Sequence, residues 1–218
     1  GSEDKFLRMT AVVLGHIPLA LIGILVFSFP DSNALSYILA SALLHFFYQI
    51  FLLNAYKFGE LSEIYPIARG LSPLIIISIS FSFFEENVSF YEVVGILLIS
   101  LSLIIYGLKQ FLNNDTNIKG FSLALITGCF IASYSIVDGY GARITQNPIG
   151  FYSSMTLING FIFYFFAKWK DREIIKKIFF SGKLSFFVGG AASYAAYGIV
   201  VWACLFLPIA VVSSIRET

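Results

Sequence analysis

Long apolar runs separated by short polar turns are the dominant pattern of this chain. A helix needs about 20 mostly apolar residues to cross a bilayer. Met9–Pro30, Ser32–Tyr56, Ile64–Phe84, Phe90–Leu108, Gly120–Val137 and Ile144–Ala167 meet or approach that length. Leu184–Ile215 carries no charge but is too long for one span, and Pro208 marks the break. The pattern therefore predicts a seventh span over Leu184–Cys204 and the start of an eighth from Pro208. Helices are expected throughout, because a helix satisfies its own backbone hydrogen bonds in lipid. The alternating segments of about 10 residues that announce a barrel are absent. The expected fold is an all-α membrane protein, a multi-span helical bundle.

The turns carry local signals. Asp31-Ser32-Asn33 separates the first two spans, and Ser89 with Glu92 three residues later forms a capping box that opens the fourth. Asn113-Asn114-Asp115 reads as the midpoint, dividing the chain into halves 1–112 and 113–218. Lys168–Lys183 is basic with apolar positions at Ile174, Ile175, Ile178 and Phe179, which fits either a short interfacial helix or a solvated loop. Ala191 with Ala195 and Ala192 with Ala196 are pairs of small residues four apart, beside Gly189, Gly190 and Gly198. Such pairs favour close helix contact, which places the seventh span inside the bundle.

Composition agrees with the pattern. The chain is 58% hydrophobic and only 12% charged, with a mean hydropathy of +0.83. Soluble domains are about 25% charged. The net charge of +1 gives no electrostatic case for nucleic acid. Cys129 and Cys204 fall inside apolar runs and read as small core residues, neither a disulfide nor a metal site. The chain opens Gly1-Ser2 without a methionine and stops at Thr218 within an apolar pattern, so it reads as a fragment of a longer protein.

Lysine and arginine in the loops set orientation. Counting alternate sides, one side holds eleven: Lys5, Arg8, Lys57, Lys109, Lys119, Lys168, Lys170, Arg172, Lys176, Lys177 and Lys183. The other holds one, Arg143. This puts the N-terminal side in the cytoplasm.

Within the apolar runs a few polar residues stand out. Arg69 lies inside the third span, between Pro66, Gly70 and Pro73. A charge in the hydrocarbon layer costs about 3 kcal/mol or more, and such charges mark function. An arginine near a helix end has the further option of snorkelling to the interface. Tyr65, Arg69 and Ser72 share one helical face. His45, Tyr48 and Leu52 share another, with Tyr56 a turn beyond; Thr127, Ile131, Tyr134 and Asp138 share a third. The seventh span offers Tyr194 and Tyr197. Together these describe a tyrosine-lined lumen. The bland readings stay open: His45 as a packing residue, Asp138 before Gly139-Tyr140-Gly141 as the end of the fifth span, Glu85 and Glu86 as solvated loop charges. Neither metal-ligand spacing, a nucleophile triad nor a phosphate loop is present, so neither a cofactor nor an enzyme is expected.

Aligning Leu61–Gly70 with Pro208–Glu217 sets Arg69 against Arg216, each early in its span. The third and eighth spans cross in opposite senses, which is the pattern of an inverted repeat.

A resemblance adds to this. Leu53-Asn54-Ala55-Tyr56-Lys57-Phe58-Gly59-Glu60-Leu61-Ser62, then Tyr65-Pro66-Ile67-Ala68-Arg69-Gly70 and Ser72-Pro73, then Glu85 or Glu86, resemble the drug/metabolite transporter superfamily, in particular EamA-type permeases. Ile131-Ala132-Ser133-Tyr134-Ser135-Ile136-Val137-Asp138-Gly139, Gly141-Ala142-Arg143 and Ser213-Ser214-Ile215-Arg216-Glu217-Thr218 look like the matching signatures of the second half. The resemblance implies ten helices in two inverted five-helix halves. This chain would supply helices two to nine, the last truncated. It also implies cytoplasmic termini, which opposes the orientation from the lysine and arginine count.

The resulting expectation is a secondary transporter in the inner cell membrane, moving a small metabolite by alternating access. Its partners would be that small molecule, the lipid bilayer and, in one option, a second copy as a homodimer. Guanidinium groups suit carboxylates, phosphonates and phosphates, so an anionic or zwitterionic substrate is favoured. The expected substrate residues are Arg69, Arg216, Tyr65, Tyr48, His45, Tyr134 and Tyr194, with Glu63, Asp138 and Glu217 as candidates for coupling. The alternative makes the arginines structural locks, paired with Glu63, Glu217 or backbone carbonyls, while lipophilic or cationic compounds leave by a different site.

Overall fold

The computed structural model describes residues 2–84, 86–113 and 117–217. Glu85, Asn114, Asp115 and Thr218, used above as a loop charge, the midpoint and part of a signature, lie outside the described residues. The described chain is helical: α1 Ser2–Phe27, α2 Leu35–Ala55, α3 Leu61–Ile79, α4 Phe90–Asn113, α5 Ile118–Thr145, α6 Pro148–Lys170, α7 Ile174–Ser181, α8 Gly190–Ala203 and α9 Ile209–Arg216. A 3₁₀ turn, Ser32–Ala34, precedes α2, and π turns at Ser80–Phe84 and Ser185–Gly189 follow α3 and precede α8. Among the described residues, seven helical stretches are long and apolar enough to cross a membrane. The molecule is an all-α, multi-span membrane protein.

Several boundaries differ from the sequence reading. Helix α5 runs through Gly139 and Gly141 to Thr145, so Asp138 is not its end; Asp138 is inside the helix and 1% exposed. Gly141 lies against the Phe151 ring, and that packing offsets the roughly 1 kcal/mol a helical glycine costs. Ile144 accordingly belongs to α5, and the sixth span starts at Pro148. The Ser89–Glu92 box forms as expected: Ser89 N donates to the Glu92 carboxylate at 2.7 Å, and Glu92 N donates to Ser89 Oγ at 3.4 Å. Lys168–Lys183 contains a helix, α7, with Ile174 and Ile178 buried and Phe179 and Phe180 exposed. Cys204 is buried but Cys129 is exposed, so only the first is a core residue; neither forms a disulfide.

The chain forms two compact units. Unit 1 is Gly1–Phe46 with Tyr140–Leu205, and unit 2 is Phe47–Gly139 with Phe206–Thr218. Each takes segments from both sequence halves.

In unit 1, Ala34, Ile38, Ala42, Ala142, Phe151, Tyr152, Met155 and Val201 form a buried core. Asn147 joins two helix ends. Its side chain caps α6 by accepting from Gly150 N at 3.0 Å, and it donates to the Phe27 carbonyl at 2.6 Å. Asn147→Ala removes both bonds. Losing an N-cap costs about 1 kcal/mol, so the variant is expected to melt a few degrees lower in detergent. The small-residue reading of the seventh span is corrected here. Ala191, Ala192, Ala195 and Ala196 are all exposed. The close contact is made instead by Gly190, whose absent Cβ would stand 2.9 Å from Gly15 Cα. Small residues lie on several faces of this helix, and only the glycine face permits backbone approach.

In unit 2, α3 packs along α4, and α9 packs on both. Glu60 N donates to Glu63 Oε2 at 2.9 Å in a capping box that starts α3. The helix stays continuous through Pro66 and Pro73, both buried. Gly70 allows α4 to come close: a Cβ there would stand 2.8 Å from both the Ser100 carbonyl and Ile104 Cγ1.

Candidate functional site

The site lies wholly within unit 2, where α2, α3, α5 and α9 with its C-cap supply the side chains. Arg69 extends from α3. Its Nε donates to Glu217 Oε2, its Nη1 donates to the Tyr65 hydroxyl, and its Nη2 donates to the Arg216 carbonyl at 2.6 Å. The Tyr65 ring lies 4.7 Å from the guanidinium carbon, a cation–π distance. Tyr65 and Arg69 meet because they are four apart on one helix face.

Arg216 approaches the same carboxylate from its other oxygen. Its Nε donates to Glu217 Oε1 at 2.9 Å, and its Nη2 donates to that oxygen as well. Its Nη1 donates to Ser135 Oγ at 3.2 Å, and its guanidinium carbon stands 5.6 Å from the Tyr134 ring. Tyr134 in turn packs on Tyr48, with ring centroids 5.2 Å apart. One carboxylate is thus shared by two guanidiniums, with three tyrosines around them.

Exposure of the three charged side chains falls in order. It is 22% for Arg69, 12% for Arg216 and 1% for Glu217. Glu217 is therefore the inner member and Arg69 the outer one. A guanidinium carries five N–H donors. Arg69 uses three of them in the contacts above, which leaves one on each terminal nitrogen. Those two nitrogens form the fork that matches a carboxylate or a phosphoryl group. Ser72, one turn along α3, and Ser213, one turn back along α9, have buried hydroxyl oxygens with no hydrogen-bond partner among the described residues. Buried hydroxyls are usually bonded, so these two are polar capacity that the protein itself leaves unspent.

The structure gathers Arg69, Arg216, Tyr65, Tyr134, Tyr48 and Glu217 here. Asp138, four residues on from Tyr134 and buried, belongs to the same unit. Glu63 sits at the N-terminal cap of α3, tied to the Glu60 backbone. His45 and Tyr194 belong to unit 1, where His45 packs on Tyr197 at 5.5 Å and the Tyr194 hydroxyl bonds Ser153 Oγ at 2.7 Å. Arg69 is engaged by Glu217, Tyr65 and the Arg216 carbonyl.

Two residues take roles here that the sequence did not assign them. Ser135, quoted above only within a signature, accepts from Arg216. Glu86 is the other. It is not a solvated loop charge: its carboxylate accepts from Ile209 N at 3.2 and 3.3 Å and from Ser80 Oγ at 3.0 Å. A carboxylate at a helix N-terminus meets the unsatisfied N–H groups and the positive end of the dipole. Glu86 thus fixes the start of α9 and, eight residues on, the position of Glu217. No family profile, curated protein or solved structure matches this chain significantly.

Proposed function

We propose that this protein is a secondary transporter of a small anionic or zwitterionic metabolite, and that the arginine pair of unit 2 binds the anionic group. The observation that carries this reading is Arg69. It is the outer member of a buried ion cluster, and one donor on each of its terminal nitrogens remains uncommitted. Intramembrane charges are costly and serve function by default. A carboxylate, phosphonate or phosphate would take both donors in a bidentate contact, and Tyr65 and the Ser72 hydroxyl offer further polar contacts nearby. In this proposal Arg69 and Arg216 derive from two inverted five-helix repeats, and alternating access runs between those halves, as the resemblance to EamA-type permeases implies.

The structural-lock alternative also has an observation in its favour. Both arginines engage Glu217, and Arg69 engages the Arg216 carbonyl as well. Both roles meet in the cluster: Arg216 ties α9 to Ser135 of α5, and Arg69, which ties α3 to Glu217, keeps one donor on each terminal nitrogen for the ligand. The complete protein in liposomes should show saturable flux of at least one compound in a panel of amino acids and organic phosphonates. Flux confined to lipophilic cations would favour the alternative.

A further inference from the structure

The segment that links α6 to α8 in unit 1 presents a basic and aromatic surface. Residues 168–183 hold six lysines and arginines against two acids, Asp171 and Glu173, an excess of four positive charges. Lys176 pairs with Glu173 at 2.8 Å, and Lys177 pairs with Asp171 at 2.7 Å. Lys168, Arg172 and Lys183 are exposed, and among the described residues none of them pairs with a carboxylate. Lys183 Nζ stands 5.0 Å from the Phe179 ring, and Lys168 Nζ stands 5.6 Å from the Tyr164 ring. The start of α1 lies at the same end of unit 1, since Lys170 Nζ stands 4.2 Å from the Phe6 ring. Residues 3–8 add two acids and two bases in sequence, which leaves the excess unchanged.

The apolar side chains of this segment divide between two faces. Ile174 and Ile178, four apart on α7, are buried. A Cβ on Gly182 would stand 3.5 Å from Ala11 Cβ, which sets the end of α7 against α1. Phe179 and Phe180 face outward instead, at 67% and 85% exposure, and Trp169 at the end of α6 is 82% exposed. One buried stripe is what a helix needs to pack on its own protein. A second apolar face flanked by lysines and arginines is the composition of a helix lying in the plane of the bilayer surface. Tryptophan at the end of a span marks the level of the headgroups.

We propose that this surface binds the anionic headgroups of the surrounding bilayer, with lipid phosphates on Lys168, Arg172 and Lys183 and the rings of Trp169, Phe179 and Phe180 in the acyl boundary. Charge complementarity selects this occupant over neutral lipid, because the exposed cations have no carboxylate of the chain to satisfy them. Arg172 supplies the planar fork that matches a phosphate. The lysine stems run beside aromatic rings and keep their ammonium groups at the level of the headgroups. Each basic residue near an anionic surface contributes about five-fold in partition. The lysine and arginine count above predicts the cytoplasmic side for this end, where anionic lipids make the bilayer surface negative. Such binding requires nothing of the arginine cluster in unit 2 and holds whatever the protein transports.

The complete protein with Trp169 as its single tryptophan provides the test; Trp202→Phe removes the other tryptophan of this chain. In vesicles of equal parts phosphatidylcholine and phosphatidylglycerol, bromine on the acyl chains of one lipid or the other quenches Trp169 on contact. Brominated phosphatidylglycerol should quench it several-fold more strongly than brominated phosphatidylcholine. The combined variant Lys168→Gln, Arg172→Gln and Lys183→Gln should lose that preference, with equal quenching by both lipids. These side chains are exposed, so the variant should fold as its parent does. The charge-conserving set Lys168→Arg, Arg172→Lys and Lys183→Arg should keep the preference. Equal quenching in the parent, a preference that survives the three glutamines, or no quenching by either lipid would overturn the proposal. A dimer in detergent that Phe180→Ser dissociates would assign the surface to a second copy of the chain and overturn it as well.

Discussion

Replacing Glu217 by glutamine is expected to be the most damaging single substitution in unit 2. The carboxylate is 1% exposed and accepts from Arg69 on one oxygen and from Arg216 on the other. Glutamine keeps the shape but removes the charge, so two guanidiniums face each other without the anion between them. Breaking a buried ion pair by removing one partner costs about 3–5 kcal/mol. The loss should appear as a large fall in the melting temperature of the purified protein and in the yield of folded material. A second effect follows from position. Glu217 ends α9, whose first amide rests on Glu86. Limited proteolysis should therefore cut near α9 first in Glu217→Gln. A variant that melts within about 1 kcal/mol of wild type, the range of an exposed pair, would show that the carboxylate is not the centre of the cluster.

Arg69 should behave in the opposite way. Without its guanidinium, Glu217 keeps Arg216, so the ion cluster survives. The variant loses one of the two ion pairs of Glu217, the exposed bond to Tyr65 and the part-buried bond to the Arg216 carbonyl, and hydrogen bonds of the last two kinds contribute about 0.5–1.5 kcal/mol each. Arg69→Gln should therefore insert normally and melt only slightly lower. Transport should suffer far more. A charge-assisted contact is worth about 1.5–3 kcal/mol, which is about 10- to 100-fold in apparent affinity. Arg69→Lys should rescue little, because an ammonium cannot present a planar two-nitrogen fork and keep Glu217 and Tyr65 as well. Large destabilisation by Arg69→Gln with transport otherwise intact would assign Arg69 to the lock.

The spans were legible in the sequence because membrane helices are fixed by length and apolarity, and both are properties of a local window. One cap was legible for the same reason: Ser89–Glu92 is a spacing of three, and it forms. The end of α5 was not legible. Gly139 and Gly141 read as helix breakers until Phe151 packs against Gly141, a contact that no local window contains. The alanine pairs of α8 misled because spacing shows that a face is small without showing that anything faces it. In the site, Arg69 and Arg216 stood out individually because a charge within an apolar run is anomalous wherever it points. Their shared use of Glu217 came closest to being readable, since Glu217 follows Arg216 directly. Ser135 and Glu86 were out of reach, since each gains its role from a residue more than 80 positions away: Arg216 and Ile209 respectively.

The central claim is that the outer arginine of this cluster holds the anionic group of a transported metabolite. A ligand that binds the native state raises its melting temperature. The most direct measurement is the melting temperature of the complete protein with and without a panel of carboxylates, phosphonates and phosphates, for wild type and Arg69→Lys. The account predicts that at least one anion raises the melting temperature of wild type and leaves that of Arg69→Lys unchanged. Equal shifts in both proteins, or a response only to cationic compounds, would contradict it.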